Sequence, residues 1–275
     1  QLGSGGSSRL PDPAGYTIGR DVRDLEQIRQ RIGAARMILI GHSYGGLLAA
    51  HYLAAHPARV ATLVLSSPDA LNPADTSHNR VTARLDTGQR LRLYAALALP
   101  RALLAYALMQ VNPSAAHHYL PDAEADAYND RVYQLTEPAL HCPHTRHTQP
   151  PLHGTGFYRL QSPQSPAAPR PADPRSRLTG LPTPALILKG SCDYLSWQSA
   201  LDYRNTLPNA TLVYLRGAGH NLYQDQPAAY LAVVRAYLTG RLLPIPPWTG
   251  SDTPPGYQGP HGQASACAAR CPHGR

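Results

Sequence analysis

Met37-Ile38-Leu39-Ile40-Gly41-His42-Ser43-Tyr44-Gly45-Gly46 is the stretch that decides the fold. Its four consecutive apolar residues form a short run typical of a strand buried on both faces of a parallel sheet. A glycine-flanked serine follows at once, and from Tyr44 to Ala55 the chain is rich in alanine and leucine, the composition of a helix. The G-x-S-x-G pattern at Gly41, Ser43 and Gly45 thus falls at a strand-to-helix turn. There, small residues before and after the serine let the backbone pass closely enough to lift the hydroxyl out of the sheet. In that context Ser43 reads as a nucleophile rather than as a serine in an ordinary glycine turn.

Working outward, the same rhythm repeats. Residues 3–15 are rich in glycine, serine and proline and read as loop. Residues 20–32 carry Val22, Leu25, Ile28 and Ile32 at helical spacing, and Gly33 stops them. After the helix at 44–55, His56-Pro57 interrupts the chain and residues 60–65 form a second apolar strand. Residues 185–189 and 211–215 give two more, and 228–238 close the pattern as a helix with Tyr230, Leu231, Val234 and Leu238. Such alternation predicts a mostly parallel α/β sheet. Between Pro68 and Pro182 it breaks down into helical stretches at 90–109 and 122–135 and a proline-rich run at 161–177, the shape of a lid insertion. The organisation expected is a core in two parts, 1–67 and 182–243, a lid at 68–181, and a Pro/Gly-rich tail at 244–275 without fixed structure.

A serine hydroxyl needs a histidine to take its proton and a carboxylate to fix that histidine's tautomer. His220 follows the strand at 211–215 through Arg216-Gly217-Ala218-Gly219, a loop able to carry an imidazole over the serine. Asp193 lies just past the strand at 185–189 and is the expected acid; Asp69, after the strand at 60–65, is the alternative. Asp225 reads as a helix N-terminal residue favoured by the dipole. The backbone N–H of Tyr44 is the expected oxyanion donor. A second donor normally comes from a loop earlier in the sheet, for which this chain has no candidate, since His153-Gly154 and His261-Gly262 both follow the serine.

Composition narrows the function classes. The net charge of +8 comes from scattered arginines, Lys189 being the only lysine, so no dense basic run marks a nucleic-acid partner. Mean hydropathy is −0.33 and no stretch approaches a membrane span, so no membrane partner is expected. Four unevenly spaced cysteines do not form the framework of a small secreted domain, and a cytoplasmic location follows. Cys192 reads as a packing residue, and Cys267 and Cys271 as incidental. His141, Cys142, His144 and His147 cluster, but their spacing does not match a metal site, and no phosphate-binding glycine loop appears, so neither metal nor cofactor is expected.

Asp21-Val22-Arg23-Asp24-Leu25-Glu26-Gln27-Ile28-Arg29, followed by Gly41-His42-Ser43-Tyr44-Gly45-Gly46, resembles the proline iminopeptidase branch of the α/β-hydrolase superfamily. Gln1-Leu2-Gly3-Ser4-Gly5-Gly6-Ser7 is similar to the remainder of that branch's D-Q-x-G-x-G-x-S motif. The resemblance covers residues 1–72 and 182–240. It implies a chain shortened at its amino end, without the first strands and the H-G-G-P-G loop, so that the strand at 37–40 has an unpaired apolar edge. It also implies a serine aminopeptidase releasing N-terminal residues from short peptides, with a lid glutamate, Glu124 or Glu137, holding the free amine. A carboxylesterase or other small-substrate hydrolase, and a non-catalytic fragment, are the alternatives.

Overall fold

The computed structural model describes residues 1–73, 75, 77–143, 145, 152–162 and 171–260. In chain order the helices and strands are α1 (Ile18–Arg31), β1 (Met37–His42), α2 (Tyr44–Ala55), β2 (Val60–Ser66), α3 (Thr87–Leu97), α4 (Pro100–Val111), α5 (Pro113–Tyr119) and α6 (Asp122–Thr136). They continue with α7 (Phe157–Gln161), α8 (Arg175–Leu178), β3 (Ala185–Gly190), α9 (Trp197–Thr206), β4 (Ala210–Leu215), α10 (Leu222–Asp225) and α11 (Pro227–Leu238). The chain divides into two compact units, one of residues 1–30, 81–139 and 146–172, the other of 31–80, 140–145 and 173–275. Among the described residues no single helix is long and apolar enough to cross a membrane.

The second unit holds the four-stranded sheet, all parallel, in the order β1-β2-β3-β4. All four strands lie where the apolar runs predict them. Burial sorts them by position in the sheet. Every residue of β3 is buried, as are Leu63, Val64 and Leu65 of β2, because both strands have neighbours on either side and helices over their faces. Val64, Leu186, Leu188 and Val213 pack against Val233 and Val234 of α11. The β1 run looked equally buried in sequence, but β1 pairs only with β2 and leaves Ile38 and Ile40 more than half exposed.

Residues 244–260, expected without fixed structure, instead pack on this sheet. Trp248 N donates to Leu212 O at 2.7 Å, Gln258 N to Ser191 O at 2.8 Å, and the Tyr257 and Trp197 rings meet at 5.4 Å. An aromatic-bearing strap that satisfies its own amides can overcome the ordering cost its prolines already reduce. Residues 261–275 lie outside the described residues, as do 163–170 of the proline-rich run.

The first unit is helical. The stretch read as one helix at 90–109 is two, α3 and α4, broken where Pro100 bars Leu99 from helical backbone. Phe157 and Tyr158 of α7 are buried with Ala105, Met109 and Ala116. The Tyr158 hydroxyl donates to the Leu120 and Ala116 carbonyls at 2.6 and 2.8 Å, and Asp130 accepts from the amides of Gly154 and Thr155, each at 2.9 Å. Helix α1, expected with the sheet, groups with these helices up to Gln30. Its buried Asp21 pairs with buried Arg159, while Ile28 and Ile32 of the predicted apolar stripe are exposed.

Candidate active site

Ser43 sits between β1 and α2 with φ 53° and ψ −122°, a left-handed-side conformation that a non-glycine residue adopts only when its surroundings impose it, at a cost of about 1–3 kcal/mol. Backbone hydrogen bonds on both sides hold it here. Ser43 N donates to Ser66 O of β2 at 3.0 Å, and Ser43 O accepts from Gly46 N at 2.9 Å and Asp69 N at 3.1 Å. A Cβ on Gly41 would stand 2.3 Å from Gly45 O, and one on Gly46 would stand 2.7 Å from Pro68 Cβ. Gly45 has open space where a side chain would go, so the close approach is required at Gly41 and Gly46 rather than at Gly45. Tyr44 opens α2, its backbone N–H at the helix's positive end.

His220 and Asp193 meet as the chain order predicts. The Nδ1–H of His220 donates to Asp193 Oδ1 at 2.9 Å, with both side chains buried. Leu195 N donates to the same oxygen at 3.0 Å, and the ammonium of Lys189 reaches Oδ2 at 2.7 Å. Burial alone would push the Asp193 carboxyl up, but Lys189 and His220 together hold it well below the usual carboxylate range. Asp69 is turned to other work: its carboxylate accepts from Ala70 N at 2.9 Å and its carbonyl from the Tyr203 hydroxyl at 2.8 Å.

His42, unremarked in the sequence, lies beside the pair. Its Nε2 donates to the His220 carbonyl at 3.1 Å and the two rings are 4.6 Å apart. Burial, then the neighbouring His220, pushes its pKa down to about 4. The Tyr194 ring is also 4.6 Å from the His220 ring.

Asp225 corrects its reading as a helix N-terminal residue. It ends the short α10, buried, and accepts from Gly219 N at 2.7 Å, Cys142 N at 3.1 Å and His141 Nδ1 at 2.7 Å. The loop before His220 is therefore tied to residues 140–145. A disulfide between Cys142 and Cys192, Cα atoms 5.1 Å apart, ties that segment to the residue before Asp193. Cys192 is thus a cross-link and not a packing residue, and a chain with few cysteines gave no spacing from which to infer it. His144, His147, Cys267 and Cys271 lie outside the described residues, and among the described residues no group of metal ligands gathers.

Ser43, Tyr44, Asp193 and His220 all belong to the sheet-bearing unit. Glu124 and Glu137 belong to the helical one. Glu124, exposed on α6, is held by Arg101 at 2.5 and 2.9 Å, and Glu137 stands where α6 passes into a short 3-10 turn.

Fold and site together define a class, a parallel sheet with a strained serine at a strand-to-helix turn and a buried His–Asp pair in the loops that follow later strands. The sequence profile of the alpha/beta hydrolase fold family matches residues 1–227, and the chain belongs to that family. Human (Lyso)-N-acylphosphatidylethanolamine lipase is 28% identical over 240 residues, spanning 85% of this chain and 68% of the lipase. The human 1-acylglycerol-3-phosphate O-acyltransferase ABHD5 is 27% identical over 240 residues, spanning 83% of this chain and 65% of that one. The solved proline iminopeptidase of Mycobacterium smegmatis superposes with a TM-score of 0.53 at 20% identity over 86% of this chain and 76% of its own. That last likeness carries the fold and nothing finer.

Proposed function

We propose that this α/β hydrolase is a serine acyl hydrolase in which Ser43 attacks, His220 carries the proton and Asp193 holds the imidazole. The observation that carries it is the 2.9 Å bond from His220 Nδ1 to a buried, ionised Asp193, because it fixes the tautomer whose Nε2 is free of a proton and can accept one. Ser43 Oγ adds to the acyl carbonyl as His220 Nε2 takes its proton; the Tyr44 N–H faces the developing oxyanion; His220 returns the proton to the leaving group, and water repeats the sequence to free the acid.

For the substrate, the relatives shift the balance. Both named above handle acylated glycerophospholipids by their names, so we favour an acyl ester or amide of a lipid-like molecule over the N-terminal peptide bond. The aminopeptidase reading, drawn from the motif resemblance, needs a lid glutamate for the free amine, and one of its two candidates, Glu124, is already paired with Arg101. The disulfide favours an oxidising compartment over the cytoplasm expected from cysteine number.

A fluorophosphonate probe on the purified chain tests the nucleophile without presupposing a substrate. Wild type should label, Ser43→Ala should not, and Asp193→Asn should label on the order of 10⁴-fold more slowly. Competition by a long-chain acyl ester but not by a prolyl amide would support the lipid-like substrate; the reverse would restore the aminopeptidase. No labelling of a folded chain would favour the non-catalytic alternative.

A further inference from the structure

We propose that Lys189 is a positioning residue for the triad, its ammonium locking the Asp193 carboxylate toward His220 and setting the pH at which the Asp193–His220 pair gains a proton. The inference rests on the Ser43–His220–Asp193 reading given above.

Composition points to it first. The chain has 25 lysines and arginines, and only one of them is a lysine. The other 24 are arginines, of which Arg29 and Arg159 are themselves buried, so the lone lysine stands out by type and is worth locating. It is fully buried on β3, four residues before Asp193. A buried ammonium is costly unless its protons are matched, and it is a compact point charge where a guanidinium needs room for a planar fork.

The geometry shows what the charge does. Lys189 Nζ donates to Asp193 Oδ2 at 2.7 Å and to Leu195 O at 3.0 Å, while Leu195 N donates to Asp193 Oδ1. Residues 189–195 thereby close into a ring of hydrogen bonds around the carboxylate. Oδ2 is pinned by the lysine, so the carboxylate cannot turn away and Oδ1 stays aimed at His220 Nδ1. Sequence distance alone would have let Asp193 rotate freely at the end of its strand.

The charge also acts through the carboxylate. The charges facing Lys189 are Asp193 at contact, with Asp75 and Asp69 farther off; those facing His220 are Asp193, the His42 ring and the Tyr194 ring. A fixed positive charge one carboxylate away opposes protonation of the pair, whichever partner holds the proton. Removing it takes away that opposition, so the pair gains its proton at a higher pH.

Two measurements on the full chain decide it. Because Lys189 is the only lysine, ¹⁵N-lysine labelling gives a single Nζ resonance. We expect the ammonium form across the neutral range, with a step whose midpoint matches the acid limb of fluorophosphonate labelling, and conversion to the amine in Asp193→Asn, where the buried charge loses its partner. An amine in wild type, or an ammonium indifferent to Asp193→Asn, overturns the proposal. In Lys189→Met the acid limb of labelling should move to higher pH; a slower rate with the limb in place would make the lysine merely structural and overturn it as well. Should Lys189→Met or Asp193→Asn not fold, the wild-type resonance and its midpoint decide alone. Should wild type not label at all, the triad reading fails, and the Nζ form and its response to Asp193→Asn still judge whether the lysine holds this carboxylate.

Discussion

His42 shows how a residue can matter to a site without belonging to its motif. It is the variable position of G-x-S-x-G, so the pattern says nothing about it, yet the turn that presents Ser43 places its ring against His220. Folding lowers its pKa from 6.5 to about 4. Between those values the unfolded chain binds the proton and the folded chain does not, so this contribution to stability is complete above about pH 6.5 and is lost as the pH falls toward 4. The urea midpoint of wild type should therefore drop between pH 7 and pH 5 by more than that of His42→Gln; equal drops would place the acid sensitivity elsewhere. The turn at Ser43 and the meeting of His220 with Asp193 were legible because chain order and strand ends constrain them. Lys189 was visible as a singular residue, but its partner was not, since an i to i+4 spacing means nothing across a strand end until the turn is known.

Among the elements, the strands were legible and the helices less so. A parallel strand announces itself as a continuous apolar run, and all four runs became strands. Helix α9 went unread because its buried side is not a stripe: Trp197, Ser199, Ala200, Leu201, Asp202 and Tyr203 are all buried, which leaves no helical period to find. Strand β1 was legible as a strand, and its unpaired apolar edge followed from the family resemblance, but the apolar run by itself read as buried on both faces, because such a run cannot say whether it lies at the centre or the edge of its sheet. Exposed Ile38 and Ile40 on an edge strand make a template for pairing between chains. Replacing both by lysine should raise the concentration at which light scattering sets in while leaving the thermal midpoint within a few degrees; unchanged scattering would show that β1 is not the adhesive edge.

At the scale of the molecule, the α/β class was legible, whereas the cross-link and the grouping of α1 with the helical unit were not. Neither has a local signature: a disulfide across 50 residues and the buried pair of Asp21 with Arg159 are facts of three dimensions. The Cys142–Cys192 bond closes a loop whose chain-entropy value is about 4 kcal/mol. A reductant should lower the unfolding free energy of wild type from urea titration by an amount of that order and leave Cys142→Ala/Cys192→Ala unmoved; equal values with and without reductant in wild type would mean the bond is absent in solution. The burial of Lys189 has a consequence for handling the protein as well. The folded chain shows solvent no ε-amine, so a lysine-selective reagent finds nothing to modify until the sheet opens, and the fraction of Lys189 that carries the tag after digestion counts the molecules that have unfolded.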